Sequence, residues 1–351
     1  MANQEHIRAL LDDACREFVF SGYQLFCKQG SDVINLAGGK SSYWPGGGAV
    51  DANSLFDIGS VTKVVVGLTG VIEWLKRSHA TLGTTVGELL PAFASTAYTS
   101  ITVEQLLFHS SGLIDWLPFF KEHKGESVSQ WLLSQEKRII VGAPGKSFRY
   151  SDINFWLLRE ALDFGPLQNA FSLWGAQFGG GLQSTLFGPV PPSRSVATEY
   201  CLWRERVCWG EVFDENAAAM EGVACHAGLF STASDLSLFC EEWLSALRGE
   251  SRWLSAEWAQ KFITPLNGVQ GSTRALGWDT KSETDSSAGN LMSPGTFGHL
   301  GFTGTSLWID PVRQGYIIFL TNRIHPSRHD TRIRVLRPKL HDLIVEGWGK
   351  G

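Results

Sequence analysis

Phe56-Asp57-Ile58-Gly59-Ser60-Val61-Thr62-Lys63 runs directly into an apolar segment, residues 64–75, and the reading of this junction decides the fold. A hydroxyl and an amine three residues apart share one face of a helix, so the Lys63 ammonium can fold back toward the Ser60 hydroxyl. An alcohol is nearly inert at neutral pH. An adjacent amine that loses its proton under desolvation and nearby positive charge can activate it for acyl transfer. The S-x-x-K spacing alone is weak, because about one copy is expected by chance in such a chain. A second copy does stand at Ser134 and Lys137, inside the hydrophilic run Ser134-Gln135-Glu136-Lys137-Arg138, where the lysine would stay solvated and protonated. The competing reading of Ser60 is an N-cap serine followed by an incidental lysine.

The 351 residues suffice for one large domain or two intertwined ones around a substantial core. Net charge is -5, with both signs scattered along the chain. No basic stripe exists to neutralise a phosphate backbone, so nucleic acid is not an expected partner. The 14 tryptophans read as core and domain-interface residues, with a minority lining a cleft. Cys15, Cys27, Cys201, Cys208, Cys225 and Cys240 form no C-x-x-C pair and no regular framework, which points to buried free thiols. The first 18 residues read as an amphipathic helix with Ile7, Leu10, Leu11 and Cys15 on one face. No signal peptide or membrane span is expected, which favours the cytoplasm unless a leader was removed.

Residues 23–28 and 33–37 are short apolar runs around Gln29-Gly30-Ser31-Asp32 and predict a hairpin. Gly38-Gly39-Lys40-Ser41 looks like the end of a phosphate-binding loop. Ile34 occupies the place of that loop's first glycine and no strand-loop-helix order follows, so nucleotide binding is not expected. Helices are predicted from Ser60 to about residue 76, over 82–90, over 102–108 with Thr102 as cap, over 155–162, over 236–247 capped near Ser234, and over about 330–345. His109 reads as a satisfied histidine at a helix end, and His226 has no partner that the sequence names. Tyr150 stands at a loop-to-helix boundary, where functional side chains are often presented. Residues 163–222 read as long surface loops framing an entrance. Strands at 276–280, 305–309 and 316–321 complete an antiparallel sheet. The fold class is therefore α+β, an antiparallel sheet flanked by terminal helices with an inserted all-helical region. Residues 1–75 and 235–351 are assigned to the sheet domain and 76–234 to a helical, loop-rich insert, with the active site at the junction.

Ser60-Val61-Thr62-Lys63, Tyr150-Ser151-Asp152 and His299-Leu300-Gly301, in that order, resemble the three motifs of the penicillin-binding protein and class C β-lactamase family, which also includes serine esterases and D-amino-acid peptidases. Flanking stretches at 107–113, 144–152, 227–231 and 297–311 agree, and the resemblance spans about residues 20–322. It implies a β-lactamase/DD-peptidase-like fold and a two-step acyl transfer in which Ser60 forms an acyl-enzyme that water hydrolyses. Lys63 would keep the proton moving and Tyr150 would act as general acid and base, with Lys63 and His299 as sources of positive charge beside it. His299 matches a position where many members carry lysine, and Gly301 would let the strand edge approach the ligand. The backbone N–H groups of Ser60 and Phe302 would meet the oxyanion. An alternative register, with Phe302-Thr303-Gly304 as the third motif, puts no polar side chain in the first place.

Two departures bear on the substrate. Asp152 stands where penicillin-recognising members carry asparagine, and Leu300 where they usually carry threonine, so an amide donor and a carboxylate-binding hydroxyl are both missing. The expected function is a metal-free serine hydrolase cleaving a small ester or D-amino-acid-type peptide. A true β-lactamase or peptidoglycan DD-peptidase, and a non-catalytic homologue, are the alternatives. The expected partner is a small-molecule or peptide substrate, with no cofactor and no metal. Neither the G-x-S-x-G elbow nor an H-E-x-x-H spacing occurs. The oligomeric state cannot be read from the chain.

Overall fold

The computed structural model describes residues 2–266, 269 and 272–348. The first hairpin forms as its alternation requires: β1 (Gly22–Gln29) pairs antiparallel with β2 (Asp32–Gly39), Gln29 opposite Asp32. Gly30 turns the chain at φ 56°, a left-handed conformation that glycine adopts without penalty. In chain order there follow β3 (Phe56–Asp57), β4 (Leu186–Phe187), β5 (Tyr200–Cys201), β6 (Arg206–Val207), β7 (Leu229–Ser231), β8 (Asp279–Thr280), β9 (Phe297–Leu300), β10 (Ser306–Asp310) and β11 (Gly315–Thr321).

The main sheet has the order β2-β1-β11-β10-β9-β8, and each of its pairings is antiparallel. Tyr23 of β1 lies opposite Thr321 of β11, so strands from the two ends of the chain form its centre. Every residue of β10 and β11 is buried, because helices cover both faces. On one face lie the helices Ala2–Arg16 and Ile333–Gly347, with Ile7, Leu11, Phe319 and Leu340 in a common cluster. On the other the helix Ala233–Leu247 brings Trp243 edge-on to Trp278 at 5.2 Å and to Phe297 at 6.0 Å.

Several elements differ from expectation for identifiable reasons. Residues 163–222 contain two helices, Leu167–Gly175 and Glu215–Ala219. The first buries Leu167, Phe171 and Trp174 at i, i+4 and i+7, a stripe hidden in the sequence by the surrounding glycines and prolines. The helix expected over 82–90 shortens to Val86–Leu89, started by a capping box between Thr85 and Glu88. The strand expected at 276–280 is reduced to β8, because Gly277 takes φ 80°. Thr232, not Ser234, caps the helix Ala233–Leu247 by accepting the Asp235 N–H. Among the described residues no helix is long and apolar enough to cross a membrane.

Candidate active site

β3 pairs with β7 and ends at Asp57. The chain then makes a 3-10 turn, Gly59–Val61, and a π-helical stretch, Lys63–Leu68, before the α-helix Thr69–Arg77 carries it into the core. Such widened turns are rare and recur at functional sites. Gly59 has φ 53°, and a Cβ there would lie 3.2 Å from both the Phe302 nitrogen and Thr303 Oγ1. The Asp57 carboxylate pins the turn from below, accepting the Gly59 N–H at 2.8 Å and the Phe213 N–H at 2.7 Å. Burial pushes the Asp57 carboxyl up to about 6 against the pull of those two donors.

Lys63 is fully buried, and its Nζ donates to Ser60 Oγ at 3.0 Å and to the His226 carbonyl at 3.1 Å. Asp152 Oδ1 lies 2.7 Å from the same nitrogen. Burial alone would drive the ammonium toward neutrality. The Asp152 carboxylate, and after it Tyr150, outweigh burial and hold Lys63 above its ordinary value. The sequence suggested an amine that has lost its proton, and at Asp152 a negative charge in place of an amide donor. In the structure the two form an ion pair, and Lys63 keeps its charge.

Asp152 stands immediately before the helix Ile153–Ala161, and the loop leading into it is held by His109. That residue is buried at φ 54°, and its Nδ1 accepts the Ser151 N–H at 3.0 Å. Since Nδ1 is thereby an acceptor, Asn154 Nδ2 is the donor in their 2.9 Å contact. The His109 ring packs 4.5 Å from the Tyr150 ring. Beyond satisfying its own helix end, His109 thus positions the tyrosine. Tyr150 has Lys63 Nζ 5.0 Å and Arg274 Cζ 5.1 Å from its ring centroid, with the His299 ring at 6.1 Å. Burial, then Arg274 and Lys63, push His299 well below the usual imidazole range. The positive charge beside Tyr150 therefore comes from Lys63 and Arg274, not from His299. Arg274 belongs to no motif, so no local pattern marks it.

β9 ends at Leu300, and Gly301 follows with no room for a side chain: a Cβ would lie 2.3 Å from the Ile58 carbonyl oxygen and 2.1 Å from Thr305 Oγ1. Thr303 Oγ1 donates to the Asp57 carbonyl and Thr305 Oγ1 to the Ile58 carbonyl, both at 2.8 Å. Thr303 thus faces the buried turn, while His299, Leu300, Gly301, Phe302 and Gly304 all line a cavity of about 260 Å³. Ser60, Tyr150 and Phe302 line the same cavity; Lys63 and Asp152 stand behind Ser60.

Four arginines also line this cavity: Arg274, Arg323, Arg334 and Arg337. Arg323 donates to the Phe302 carbonyl and Arg337 to the Gly304 carbonyl, each at 2.9 Å. Among the described residues no carboxylate lies within ion-pair distance of Arg323, Arg334 or Arg337. Burial, reinforced by Arg323 and Arg334, lowers Arg337 to about 10. The sequence pointed to a missing carboxylate grip at Leu300. The structure brings cations to the same cavity from β11's exit and from the helix Ile333–Gly347, positions outside any motif.

A family model described as Beta-lactamase matches residues 27–339. A protein of Escherichia coli (strain K12) named putative D-alanyl-D-alanine carboxypeptidase is 28% identical over 311 residues, covering 78% of this chain and 70% of that one. Among solved structures, EstCE1, a hydrolase with promiscuous acyltransferase activity, superposes with a TM-score of 0.74 at 20% identity, covering 97% of this chain and 99% of its own. A class C β-lactamase does so with a TM-score of 0.73 at 17% identity, covering 97% and 98%. At those identities the two structures show the fold alone.

Proposed function

Because this chain belongs to the Beta-lactamase family, we propose that it is a serine hydrolase in which Ser60 is the nucleophile, Tyr150 moves the proton beside the charged Lys63, and the substrate carries a carboxylate near the bond that breaks. The observation that carries this reading is the buried Lys63 ammonium, which spans Ser60 Oγ and Asp152 at the edge of a cavity shared with Tyr150.

Ser60 Oγ attacks the carbonyl carbon of an ester or amide to form a tetrahedral oxyanion, which collapses to the Oγ–acyl ester as the bond to the leaving group breaks. The serine proton passes to the Tyr150 oxygen as the tyrosine's own proton moves to the leaving oxygen or nitrogen, so Tyr150 relays a proton and ends neutral. Lys63 stays charged throughout, and with Arg274 it stabilises the electron-rich Tyr150 oxygen during that relay. Water then attacks the acyl group along the same route in reverse. The oxyanion is received by the N–H groups of Ser60 and Phe302, a pairing supported by the closeness of Gly59 to the Phe302 nitrogen. Asp152 keeps Lys63 protonated, and neutral His299 walls the cavity beside Tyr150. Arg323, Arg334 and Arg337, which have no carboxylate partner among the described residues, favour a carboxylate-bearing substrate of the D-amino-acid peptide type over a neutral ester. The name of the Escherichia coli relative agrees with that class.

Intact-mass spectrometry after brief exposure to an activated ester should show one acyl adduct, and none with Ser60→Ala. Among matched p-nitrophenyl esters, one bearing a carboxylate should acylate at least about tenfold faster than its neutral counterpart. An adduct that persists in Ser60→Ala would disprove the nucleophile assignment, and equal rates would disprove the substrate class.

A further inference from the structure

Asp57 is the last residue of β3 and only 2% exposed. The charged groups that act on it, Asp214 and Arg204, make their own contacts with His226 and Glu211. Its two oxygens serve two different segments: Oδ1 accepts the Gly59 N–H at 2.8 Å and Oδ2 the Phe213 N–H at 2.7 Å. Taking a carboxylate out of water without a counter-ion is costly, so a neutral side chain would serve better if only one N–H had to be met. Both partners are donors, however, and a carboxylate offers an acceptor at each end. An amide would set its own N–H against one of them. Asp57 therefore ties the Ser60 turn to Phe213 in a way that its neutral isostere cannot.

Phe213 leads in turn to Phe302. The two rings are stacked, with centroids 5.5 Å apart and planes 7° from parallel. Phe213 is fixed on both sides, its N–H by Asp57 and its carbonyl by Arg204 Nη2 at 2.6 Å. Phe302 is 47% exposed, so its ring has few neighbours to hold it, the Phe213 ring and the Arg323 guanidinium 4.5 Å from its centroid among them. The tolerance between the two segments is small. A Cβ at Gly59 would lie 3.2 Å from the Phe302 nitrogen, so a shift of either segment moves the Phe302 N–H relative to the Ser60 turn.

We infer that Asp57 is a positioning residue for the acyl transfer: its carboxylate sets the Ser60 turn through the Gly59 N–H and the Phe302 N–H through the Phe213 ring, and so holds the two oxyanion donors in register. The inference rests on the reading of Ser60 as nucleophile, and adds to it a residue that touches no substrate. A donor aimed at the oxyanion acts in the transition state rather than on the bound ester. Displacing it therefore lowers the acylation rate constant and leaves ground-state binding alone. A role in folding only would act otherwise, leaving fewer competent chains that each react at the parent rate.

Quenched-flow mass spectrometry with the carboxylate-bearing p-nitrophenyl ester separates these outcomes. In Asp57→Asn the acylation rate constant at saturating ester should fall at least about tenfold, while the half-saturating concentration and the fraction of chains finally acylated stay within about twofold of the parent. Phe213→Leu keeps the main-chain bond to Asp57 and removes the ring. It should show the same pattern, and it serves alone should Asp57→Asn not fold. The double variant should be no more than about threefold slower than the slower single variant, since both act on one path. A parent-like rate constant in either folded variant, a loss confined to the acylated fraction, or effects that multiply in the double variant would each overturn the inference. A parent chain that forms no adduct overturns the Ser60 reading and this inference with it; an adduct in the parent with unaltered variants overturns this inference alone.

Discussion

Asp152 Oδ1 lies 2.7 Å from the buried Lys63 ammonium, so the charge on the lysine depends on this one carboxylate. Its replacement of asparagine was legible as a departure from a motif, but its contact with Lys63 was not, because a 2.7 Å approach depends on where the Ile153–Ala161 helix docks. Ser60 and Lys63 were legible only once their spacing was joined to Tyr150-Ser151-Asp152 and His299-Leu300-Gly301 in order, since the same spacing recurs at Ser134 and Lys137. Arg274, Arg323 and Arg337 were not, because nothing local marks an arginine that reaches a cavity. Asp152→Asn should destabilise the protein by about 3 kcal/mol, the low end of the range for breaking a buried ion pair, because an amide remains. Without its counter-ion Lys63 should surrender its proton more easily, moving the basic limb of the acylation pH profile to lower pH. Urea unfolding and a pH series of acylation rates measure the two effects. An unchanged midpoint together with an unchanged profile would mean the ion pair does not govern Lys63.

At the level of elements, the Ser60 turn and the β9–β10 connection behave as one unit. Thr303 and Thr305 donate to the carbonyls of Asp57 and Ile58, and neither Gly59 nor Gly301 has space for a Cβ. The pattern H-x-G predicted a close approach, but not that the approach is to the Ser60 turn itself. Gly301→Ala should push the two segments apart. Its circular dichroism should stay native while acyl-adduct formation falls about a hundredfold, the usual loss when one oxyanion donor is displaced. A rate within a few-fold of the parent would show that the Phe302 N–H is not a donor in the reaction. Strand pairing was readable where alternation was strong, as in β1 and β2. It was unreadable at β8, where a single left-handed glycine cuts the run to two residues.

On the scale of the molecule, burial decides the response to acid. His109, His299 and His341 are all pushed below the ordinary imidazole range by burial, His341 to about 3 with Arg337 adding to the effect. A depressed histidine binds its proton more readily in the unfolded chain, so its stabilisation is present above about pH 6.5 and is lost as pH falls toward 3. For His341 alone this amounts to about 5 kcal/mol across that window. Asp57, raised to about 6, acts in the opposite sense: its stabilisation is present below 3.8 and is lost as pH rises through about 6. Three histidines outweigh one carboxyl, so the thermal midpoint should drop steadily from pH 7 to pH 4.5. A midpoint that holds or rises over that interval would contradict the buried, neutral state of these rings.

The pairing of β1 with β11 also has a consequence in time. As the chain leaves the ribosome Ser60 emerges early, yet its lysine's counter-ion comes from residue 152, the amide beside its turn from residue 302, and the cavity's cations from residues 323 to 337. Until β11 and the helix Ile333–Gly347 are made, β1 lacks its β11 neighbour and Ser60 has neither its electrostatic setting nor its cavity. Topology therefore delays assembly of the pocket until residue 337 has left the ribosome.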